Sequence, residues 1–235
     1  MRGAPLAETE NSAARPDFGG VEAWVFDLDH TLYTVDAAHQ AQMEERICFY
    51  VQRHFGLDRD AAWKVQKGYL RDYGSTLAGL MRNDHIDPDV YHDEINDLEA
   101  LALSPDAGLR AGLARLPGRR FVFTNNCGRF ARNVLARLGV EDLFSGIVDV
   151  KAMDFVLKPS PKAFETLLAL GPIEPGRAAL FDDSARNLVP ARALGMKTVW
   201  FNNGLGQSQT KIDRPELHID HQTDNLANFL QAIRI

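Results

Sequence analysis

The chain has 235 residues, 45% of them hydrophobic, which is enough for one large domain or for a core with an insert. Its formal net charge is −6, with no block of like charges, so a nucleic-acid polymer is not an expected partner: binding a phosphate backbone needs a basic face. No stretch approaches the length of a membrane span, and Cys48 and Cys127 lack zinc-site spacing. We expect a cytoplasmic protein without membrane attachment, either a monomer or a homodimer.

The N-terminal part of the chain combines a polar tail with a buried strand. Residues 1–20 are rich in Ala, Pro, Glu and Gly and lack a signal-like apolar segment, so we predict a disordered tail. Residues 23–26 read Ala-Trp-Val-Phe and predict a buried strand, followed directly by Asp27 and Asp29. Side chains alternate along a strand, so the two carboxylates are predicted to share one face, with His30 packing on the other.

Residues 35–118 carry a helical pattern. Apolar residues spaced three and four apart predict one helix face, formed by Met43, Ile47, Tyr50, Val51 and Phe55. Further helices are predicted at 60–73, 76–83, 88–101 and 105–115. A simple crossover between parallel strands needs only about a dozen residues, so this insert is predicted to form a small helical cap domain.

After Gly118 strands and helices alternate. Strands are predicted near 120–124, 147–150, 178–182 and 197–201. Helices are predicted near 128–138, 160–170, 186–194 and 224–233. This alternation predicts an α/β fold, a doubly wound and mostly parallel sheet built from residues 21–34 and 119–235, with the all-helical cap inserted.

Polar residues stand where the predicted strands end. Thr124 and Asn125 follow the second strand, Asp182 and Asp183 end a later one, and Lys158 precedes a helix. In an open parallel sheet the carboxyl ends of the strands converge on one crevice, where ligands bind. The alternative for Lys158 is a surface lysine ahead of a helix, but the Lys-Pro-Ser-Pro turn directs it to the same sheet edge.

Four carboxylates in one crevice would repel each other, by about 4 kcal/mol per pair at about 4 Å and an effective dielectric near 20. The cluster therefore requires protonation or a cation, and hard oxygen ligands favour Mg²⁺. The alternative is an acidic cluster balanced by salt bridges without a metal. The predicted metal ligands are Asp27, Asp29, Asp182 and Asp183.

These residues together resemble the four ordered motifs of the haloacid dehalogenase-like phosphohydrolases. The resemblance extends from Trp24 to Phe201, and its motif residues are Asp27, Asp29, Thr31, Thr124, Lys158, Asp182 and Asp183. It implies a Rossmann-like core whose helical cap closes over the active site, with Pro117-Gly118 as one hinge.

The resemblance also implies roles for the motif residues. Asp27 would be the nucleophile that forms an aspartyl-phosphate, and Asp29 the general acid and base whose backbone carbonyl also binds the metal. Asp183 would bind Mg²⁺ directly and Asp182 through water, an allocation that depends on Asn187, which stands where the motif's GDxxxD form has its second aspartate. The phosphate-binding residues would be Thr124, Asn125 and Lys158. Displacing a halide needs no proton, so Asp29 favours a phosphatase over a dehalogenase.

A closer resemblance is to the pyrimidine 5'-nucleotidases. It rests on Asp27 to Tyr33, Tyr73 to Leu80, Lys158 to Phe164 and Phe181 to Ser184. It implies UMP or CMP as the small phosphate monoester hydrolysed, beneath a cap small enough to enclose a one-ring base. Candidate specificity residues are Tyr33, Tyr73, Met81, Arg82 and His85.

Three alternatives remain open from the sequence. The first is a phosphatase for phosphoglycolate or a sugar phosphate, and the second is a sugar phosphomutase, which would require a bisphosphate activator. The third is a catalytically silent binding module that kept the fold. All motif residues are present, and this favours an enzyme over the silent module.

Overall fold

The computed structural model describes residues 15–34, 37–96, 102–204 and 212–235. Its strands are β1 Ala23–Phe26, β2 Arg119–Phe123, β3 Gly146–Val148, β4 Ala178–Asp182, β5 Lys197–Phe201 and β6 His221–Thr223. They form one parallel sheet in the order β3-β2-β1-β4-β5-β6. The chain winds outward from β1 in one direction and then in the other, which confirms the predicted doubly wound α/β fold. The switch of direction leaves a crevice at the carboxyl ends of β1 and β4.

The helices divide between a cap and the sheet. The cap helices are α1 Ala37–Phe55, α2 Arg59–Tyr73, α3 Thr76–Asp84 and α4 Pro88–Ile95. The helices against the sheet are α5 Ala107–Ala114, α6 Gly128–Leu138, α7 Pro161–Leu170, α8 Ala185–Ala193 and α9 Leu226–Ala232. Side-chain oxygens of Asp58, Ser75 and Asp87 accept backbone N–H groups at the starts of α2, α3 and α4, which explains where these helices begin. The predicted helix 88–101 ends at Ile95, and its residues 97–101 lie outside the described part.

Both faces of the sheet are covered. Alternation along β1 sends Trp24 and Phe26 into a hydrophobic cluster shared with α5, α6 and α9. Val25 points to the other face, where it joins the buried residues of α7 and α8. Burial on both sides explains why these strands read as continuous apolar runs in the sequence.

The cap has its own apolar core. Tyr50, Leu77, Leu80 and Tyr91 bring α1, α3 and α4 together in a cluster separate from those of the sheet. Helix α4 of the cap is joined to the core by two ion pairs: Asp89 to Lys151 at 2.6 Å, and Asp93 to Arg129. The cap therefore lies over the carboxyl ends of the strands, with α4 held against α6 and the loop after β3.

The predicted cap range 35–118 extends too far. Helix α5 lies against the sheet, since Leu109 and Leu113 are buried in the same cluster as Leu230 of α9. At Gly112 an added Cβ would lie 2.9 Å from the Leu230 Cβ, so the two helices are in close contact. The local 3.6-residue period predicts the helix correctly but says nothing about which element it packs against.

The predicted hinge at Pro117-Gly118 is likewise built into the core. The Trp24 Nε1 donates to the Pro117 carbonyl oxygen at 2.7 Å. Gly118 has φ +79°, and a Cβ there would lie 2.1 Å from the Glu22 carbonyl oxygen, so this turn requires glycine. Pro117 and Gly118 are therefore held against the start of β1.

The predicted tail of residues 1–20 also ends earlier than expected. Residues 1–14 lie outside the described part, but Phe18 is only 1% exposed and donates its N–H to the Arg234 carbonyl oxygen at 2.7 Å. Its ring lies 5.6 Å from Trp24 and 6.2 Å from Phe181. Phe18 anchors the end of this segment to the core, a contact that the segment's polar composition does not predict.

Two further features complete the fold. Strand β6, with the sequence His-Gln-Thr, is not predicted from the sequence, because a short polar strand at a sheet edge has no apolar run. Among the described residues, no helix combines the length and the apolar character needed to cross a bilayer.

Candidate active site

A cavity of about 1520 Å³ lies between the carboxyl ends of the strands and the cap. Its core wall includes the predicted residues Asp27, Asp29, Asn125, Lys158 and Asp183. Its cap wall includes the predicted residues Tyr73, Met81 and Arg82. Motif residues from four separate chain segments thus meet in one crevice, as the sequence analysis expects.

Lys158 connects three of the strands at the base of the cavity. Its Nζ donates to Asp27 Oδ1 at 2.7 Å, to Asp182 Oδ2 at 2.8 Å and to the Phe123 carbonyl oxygen at 2.7 Å. The side chain is 1% exposed. Burial alone would lower the pKa of Lys158, but the carboxylates of Asp182 and Asp27 outweigh it and raise that pKa, so the ammonium group stays charged. Lys158 is therefore no ordinary surface lysine.

Asp27 follows β1, and its N–H donates to the Phe181 carbonyl oxygen at 2.8 Å, which extends the strand pairing to this residue. Burial raises the pKa of Asp27 to about 7; Lys158 acts in the opposite direction, while Asp182 and Asp29 raise it further. The Lys158 ammonium group therefore offsets only part of the cost of ionising this carboxyl group in its buried position.

Carboxylate oxygens of Asp27, Asp182 and Asp183 all lie within 4.8 Å of one another, and all three residues are buried. The cluster carries three carboxylates, of which Asp27 and Asp182 share the single charge of Lys158. Several hard oxygen donors with excess negative charge fit a divalent cation such as Mg²⁺.

The two aspartates that end β4 have different surroundings. Asp182 is fully buried, and its oxygens accept from the Ser184 N–H at 2.9 Å, from the Asn187 Nδ2 at 2.9 and 3.0 Å, and from Lys158. Asp183 lies on the cavity wall, and its carbonyl oxygen accepts from the Trp200 Nε1 at 2.9 Å. Asn187, which replaces an acid of the motif, thus serves as a donor to Asp182.

Asp29 is placed by a turn and not by strand alternation. Strand β1 ends at Phe26, and the N–H groups of Thr31 and Leu32 donate back to the Leu28 carbonyl oxygen. The Tyr33 hydroxyl donates to Asp29 Oδ1, and the Asn126 Nδ2 donates to Asp29 Oδ2 at 3.4 Å. Both carboxylate oxygens therefore accept a hydrogen bond from the core.

Tyr33 is predicted as a specificity residue, but its hydroxyl is engaged in the hydrogen bond to Asp29. Burial first, and then the negative charge of Asp29, raise the pKa of Tyr33 well above its ordinary value, so its phenol stays protonated and can donate. The ring is 7% exposed and lies on the cavity wall. Its structural role is to hold Asp29.

Two other predictions need correction. His30 is expected to pack on the opposite face of β1, but it has φ +60° and lies on the cavity wall, with its Nε2 3.2 Å from the Gln40 Oε1 of the cap. The chain has already turned at this residue, so the alternation rule does not apply. His85 ends α3 in the left-handed conformation, is exposed, and is not among the described residues on the cavity wall.

Thr124 and Asn125 hold the loop beneath the cavity. Thr124 is fully buried and is not among the described residues on the cavity wall, and its Oγ1 accepts from the Asn126 N–H at 3.0 Å. The Asn125 Oδ1 accepts from the Lys158 N–H at 2.9 Å, and its Nδ2 donates to the Lys158 carbonyl oxygen at 3.3 Å. The Asn125 side chain thereby fixes the backbone that carries Lys158.

The cap wall presents an aromatic ring beside a cation. The Arg82 guanidinium lies 5.9 Å from the centroid of the Tyr73 ring, close enough for a cation–π contact. Phe155 and Arg186 of the core also line the cavity. Sequence reasoning missed these two residues, because neither belongs to a motif or follows directly on a strand.

The chain matches known proteins across most of its length. It is 31% identical over 191 residues to "Phosphate metabolism protein 8" of Saccharomyces cerevisiae, a match that covers 74% of this chain and 60% of that protein. It is 24% identical over 196 residues to a "Glyceraldehyde 3-phosphate phosphatase" of Pyrococcus furiosus, covering 76% of this chain and 80% of that protein. The chain thus spans less than two thirds of the length of the yeast relative.

A solved structure shares the fold. The L-2-haloacid dehalogenase of Xanthobacter autotrophicus superposes with a TM-score of 0.53 and 16% identity, covering 90% of this chain and 97% of that one. The family model for haloacid dehalogenase-like hydrolases matches residues 21–195. The parallel sheet and its acidic crevice thus define a hydrolase of α/β architecture, and the chain belongs to the haloacid dehalogenase-like family.

Proposed function

We propose that this hydrolase is a Mg²⁺-dependent phosphatase that acts on small phosphate monoesters through an aspartyl-phosphate on Asp27, with pyrimidine 5'-nucleotides as preferred substrates. The observation that carries the proposal is Asp29, a second carboxylate on the cavity wall beside Asp27 that is held by Tyr33 and Asn126. An alkoxide leaving group needs a proton donor at this place, whereas a departing halide does not.

The reaction follows from the positions of the side chains. The Asp27 carboxylate attacks phosphorus while the bond from phosphorus to the ester oxygen breaks, and Asp29 gives its proton to the departing alkoxide. Asp29 then takes a proton from water, which attacks the phosphorus of the aspartyl-phosphate and releases inorganic phosphate and free Asp27. Lys158, which already contacts Asp27 Oδ1, balances negative charge at the base of the site.

Asp27, Asp183 and the Asp29 backbone carbonyl are the groups that would hold Mg²⁺. Asp182 would support them from behind, because its oxygens already accept from Lys158, Ser184 and Asn187. A divalent cation bound there neutralises the carboxylates and the substrate phosphate together.

Substrate preference must come from the cap, since the phosphate contacts are common to all such esters. Tyr73 offers a face for stacking a base, and Arg82 beside it offers hydrogen-bond donors for carbonyl oxygens of that base. The cavity of about 1520 Å³ is larger than a nucleotide requires, so its size does not select one ring over two, contrary to the expectation from the sequence. Selection would rest on these polar and aromatic contacts.

A second candidate is the phosphate ester of a three-carbon sugar. It is supported by the Pyrococcus furiosus relative, a protein named glyceraldehyde 3-phosphate phosphatase, which aligns over 76% of this chain. The exposed Arg186 on the cavity wall could bind the polar groups of such a substrate.

A panel of phosphate monoesters assayed with Mg²⁺ tests the proposal. We expect kcat/KM for UMP and CMP to exceed kcat/KM for AMP, GMP, phosphoglycolate and glyceraldehyde 3-phosphate. Preference for a triose phosphate or phosphoglycolate would refute the nucleotidase assignment and leave the phosphatase chemistry standing. Failure to hydrolyse any ester would refute both.

A cap variant shows where the selection occurs. Tyr73→Ala should lower kcat/KM for UMP about tenfold, corresponding to about 1.4 kcal/mol, and barely change kcat/KM for p-nitrophenyl phosphate. Tyr69→Phe, which removes a hydroxyl bonded to Asp84 away from the cavity wall, is the matched control and should alter neither value.

A further inference from the structure

Asn126 has a fixed orientation next to Asp29. Its Oδ1 accepts from the Cys127 N–H at 2.8 Å. A backbone N–H can only donate, so this bond determines which end of the amide is the oxygen. The Nδ2 therefore faces Asp29 Oδ2, at 3.4 Å, as a donor. This bond is long, but catalytic hydrogen bonds are often long without substrate and shorten in the substrate complex.

The same amide is bonded to the cap. The Asn126 Oδ1 also accepts from the Asn96 Nδ2 at 3.1 Å, and Asn96 ends helix α4 of the cap. Helix α4 is the element that the ion pairs of Asp89 and Asp93 attach to the core. A single side chain thus joins the end of the cap to the carboxylate that handles the proton.

We propose that Asn126 is a positioning residue that holds Asp29 in line with the departing ester oxygen, and that Asn96 makes this placement depend on the docked cap. The inference rests on the proposed phosphatase function and extends it to the control of its proton-transfer step. With Tyr33 on Oδ1 and Asn126 on Oδ2, Asp29 is held from both sides, and loss of either donor lets the carboxylate rotate.

Comparing esters with different leaving groups shows whether Asn126 positions Asp29 or only supports the fold. An alkoxide needs the proton of Asp29, whereas p-nitrophenolate leaves without one. We expect Asn126→Ala to lower kcat/KM about tenfold for the best alkyl ester of the panel, the scale of one hydrogen bond to a charged group. For p-nitrophenyl phosphate the change should stay below about twofold.

Two further variants refine the test. Asn126→Asp keeps the shape of the side chain but replaces the donor with an acceptor, so it should reduce alkyl-ester hydrolysis at least as much as Asn126→Ala. Asn96→Ala should produce the same selectivity for alkyl over aryl esters with a smaller effect, because the Cys127 N–H still holds Asn126. Asn228→Ala, at an exposed position on α9, is the matched control and should change neither ester.

A double mutant decides whether Asn126 acts through Asp29. In the Asp29→Asn background, adding Asn126→Ala should cause no further loss with the alkyl ester. Equal losses with alkyl and aryl esters, or full additivity with Asp29→Asn, would overturn the inference while wild-type activity upholds the phosphatase. A wild-type protein inactive on every ester would instead overturn the proposed function.

Discussion

Lys158 shows how one buried residue organises the site. Its ammonium group contacts the end of each of three neighbouring strands, through Asp27, Phe123 and Asp182. The charges are almost fully shielded from water, so neither carboxylate has a substitute partner in solvent. Removing one member of such a group leaves the others buried and uncompensated, which costs more than the ion pairs contribute.

Lys158→Met should therefore lower the free energy of unfolding by about 3–5 kcal/mol in metal-free buffer. Lys162→Ala is the matched control: Lys162 forms an exposed ion pair with Asp154 at 3.8 Å, and its loss should change the free energy by less than about 0.5 kcal/mol. Urea denaturation of the two variants measures both. Equal stability of the two proteins would show that Lys158 does not carry the charge balance described above.

At the scale of single residues, the sequence predicts the site residues whose positions follow from where strands end. Asp27, Lys158 and Asp183 reach the cavity as expected, because Asp27 and Asp183 follow apolar runs and Lys158 precedes helix α7. The role of Asn126 is not predictable in this way. It depends on the turn that carries Asp29 and on the position of Asn96 at the end of α4.

Helix α4 of the cap makes contacts with the core. Its outer residues pair with Lys151 and Arg129 of the core, while His92 faces inward and is 6% exposed. Burial lowers the pKa of His92 to about 4; the charges of Asp89 and Asp149 act in the opposite direction without reversing the shift. The folded protein therefore keeps this imidazole neutral.

This burial predicts a pH dependence of stability. The unfolded chain binds the proton near pH 6.5 and the folded protein only near pH 4, so stability is complete above 6.5 and is lost as pH falls towards 4. His92→Gln should remove about 1–2 kcal/mol of the stability loss that wild type suffers between pH 7 and pH 5. Urea denaturation at the two pH values measures it. An unchanged pH dependence in the variant would contradict the buried, neutral state of His92.

At the scale of elements, the sequence predicts best the strands that are buried on both faces of the sheet. Strands β1, β4 and β5 are mostly apolar because helices cover both faces of the sheet, and their bounds match the predicted ones closely. The assignment of α5 to the cap fails, because its apolar face meets α9, more than a hundred residues further along the chain. Periodicity identifies a helix but not its partner.

At the scale of the whole molecule, the cap helices and the sheet have separate apolar clusters in the part of the chain that the structure describes, and one acidic cavity lies between them. The proposed catalytic residues lie on the sheet side, and Tyr73, Met81 and Arg82 lie on the cap side. Among the described residues, cap and core meet in two exposed ion pairs of α4, in the Asn96–Asn126 hydrogen bond and in the His30–Gln40 contact.

Metal binding should stabilise this assembly. A cation that binds the folded protein alone raises the melting temperature in proportion to the logarithm of its concentration. We expect Mg²⁺ to raise the Tm, EDTA to abolish activity reversibly, and Ca²⁺ to bind but inhibit, since its looser coordination disturbs the in-line geometry. Asp183→Asn should abolish the shift in Tm. Full activity in excess EDTA would refute the metal assignment.

The central claim is that Asp27 carries the phosphoryl group during turnover. The most direct measurement mixes enzyme with a ³²P-labelled ester, quenches in acid within a single turnover, and counts label on the protein. We expect wild type to retain a label that hydroxylamine removes, as for an acyl phosphate, and Asp27→Asn to retain none while remaining folded. Label on Asp27→Asn equal to wild type, or turnover of that variant above a few per cent, would contradict the covalent mechanism.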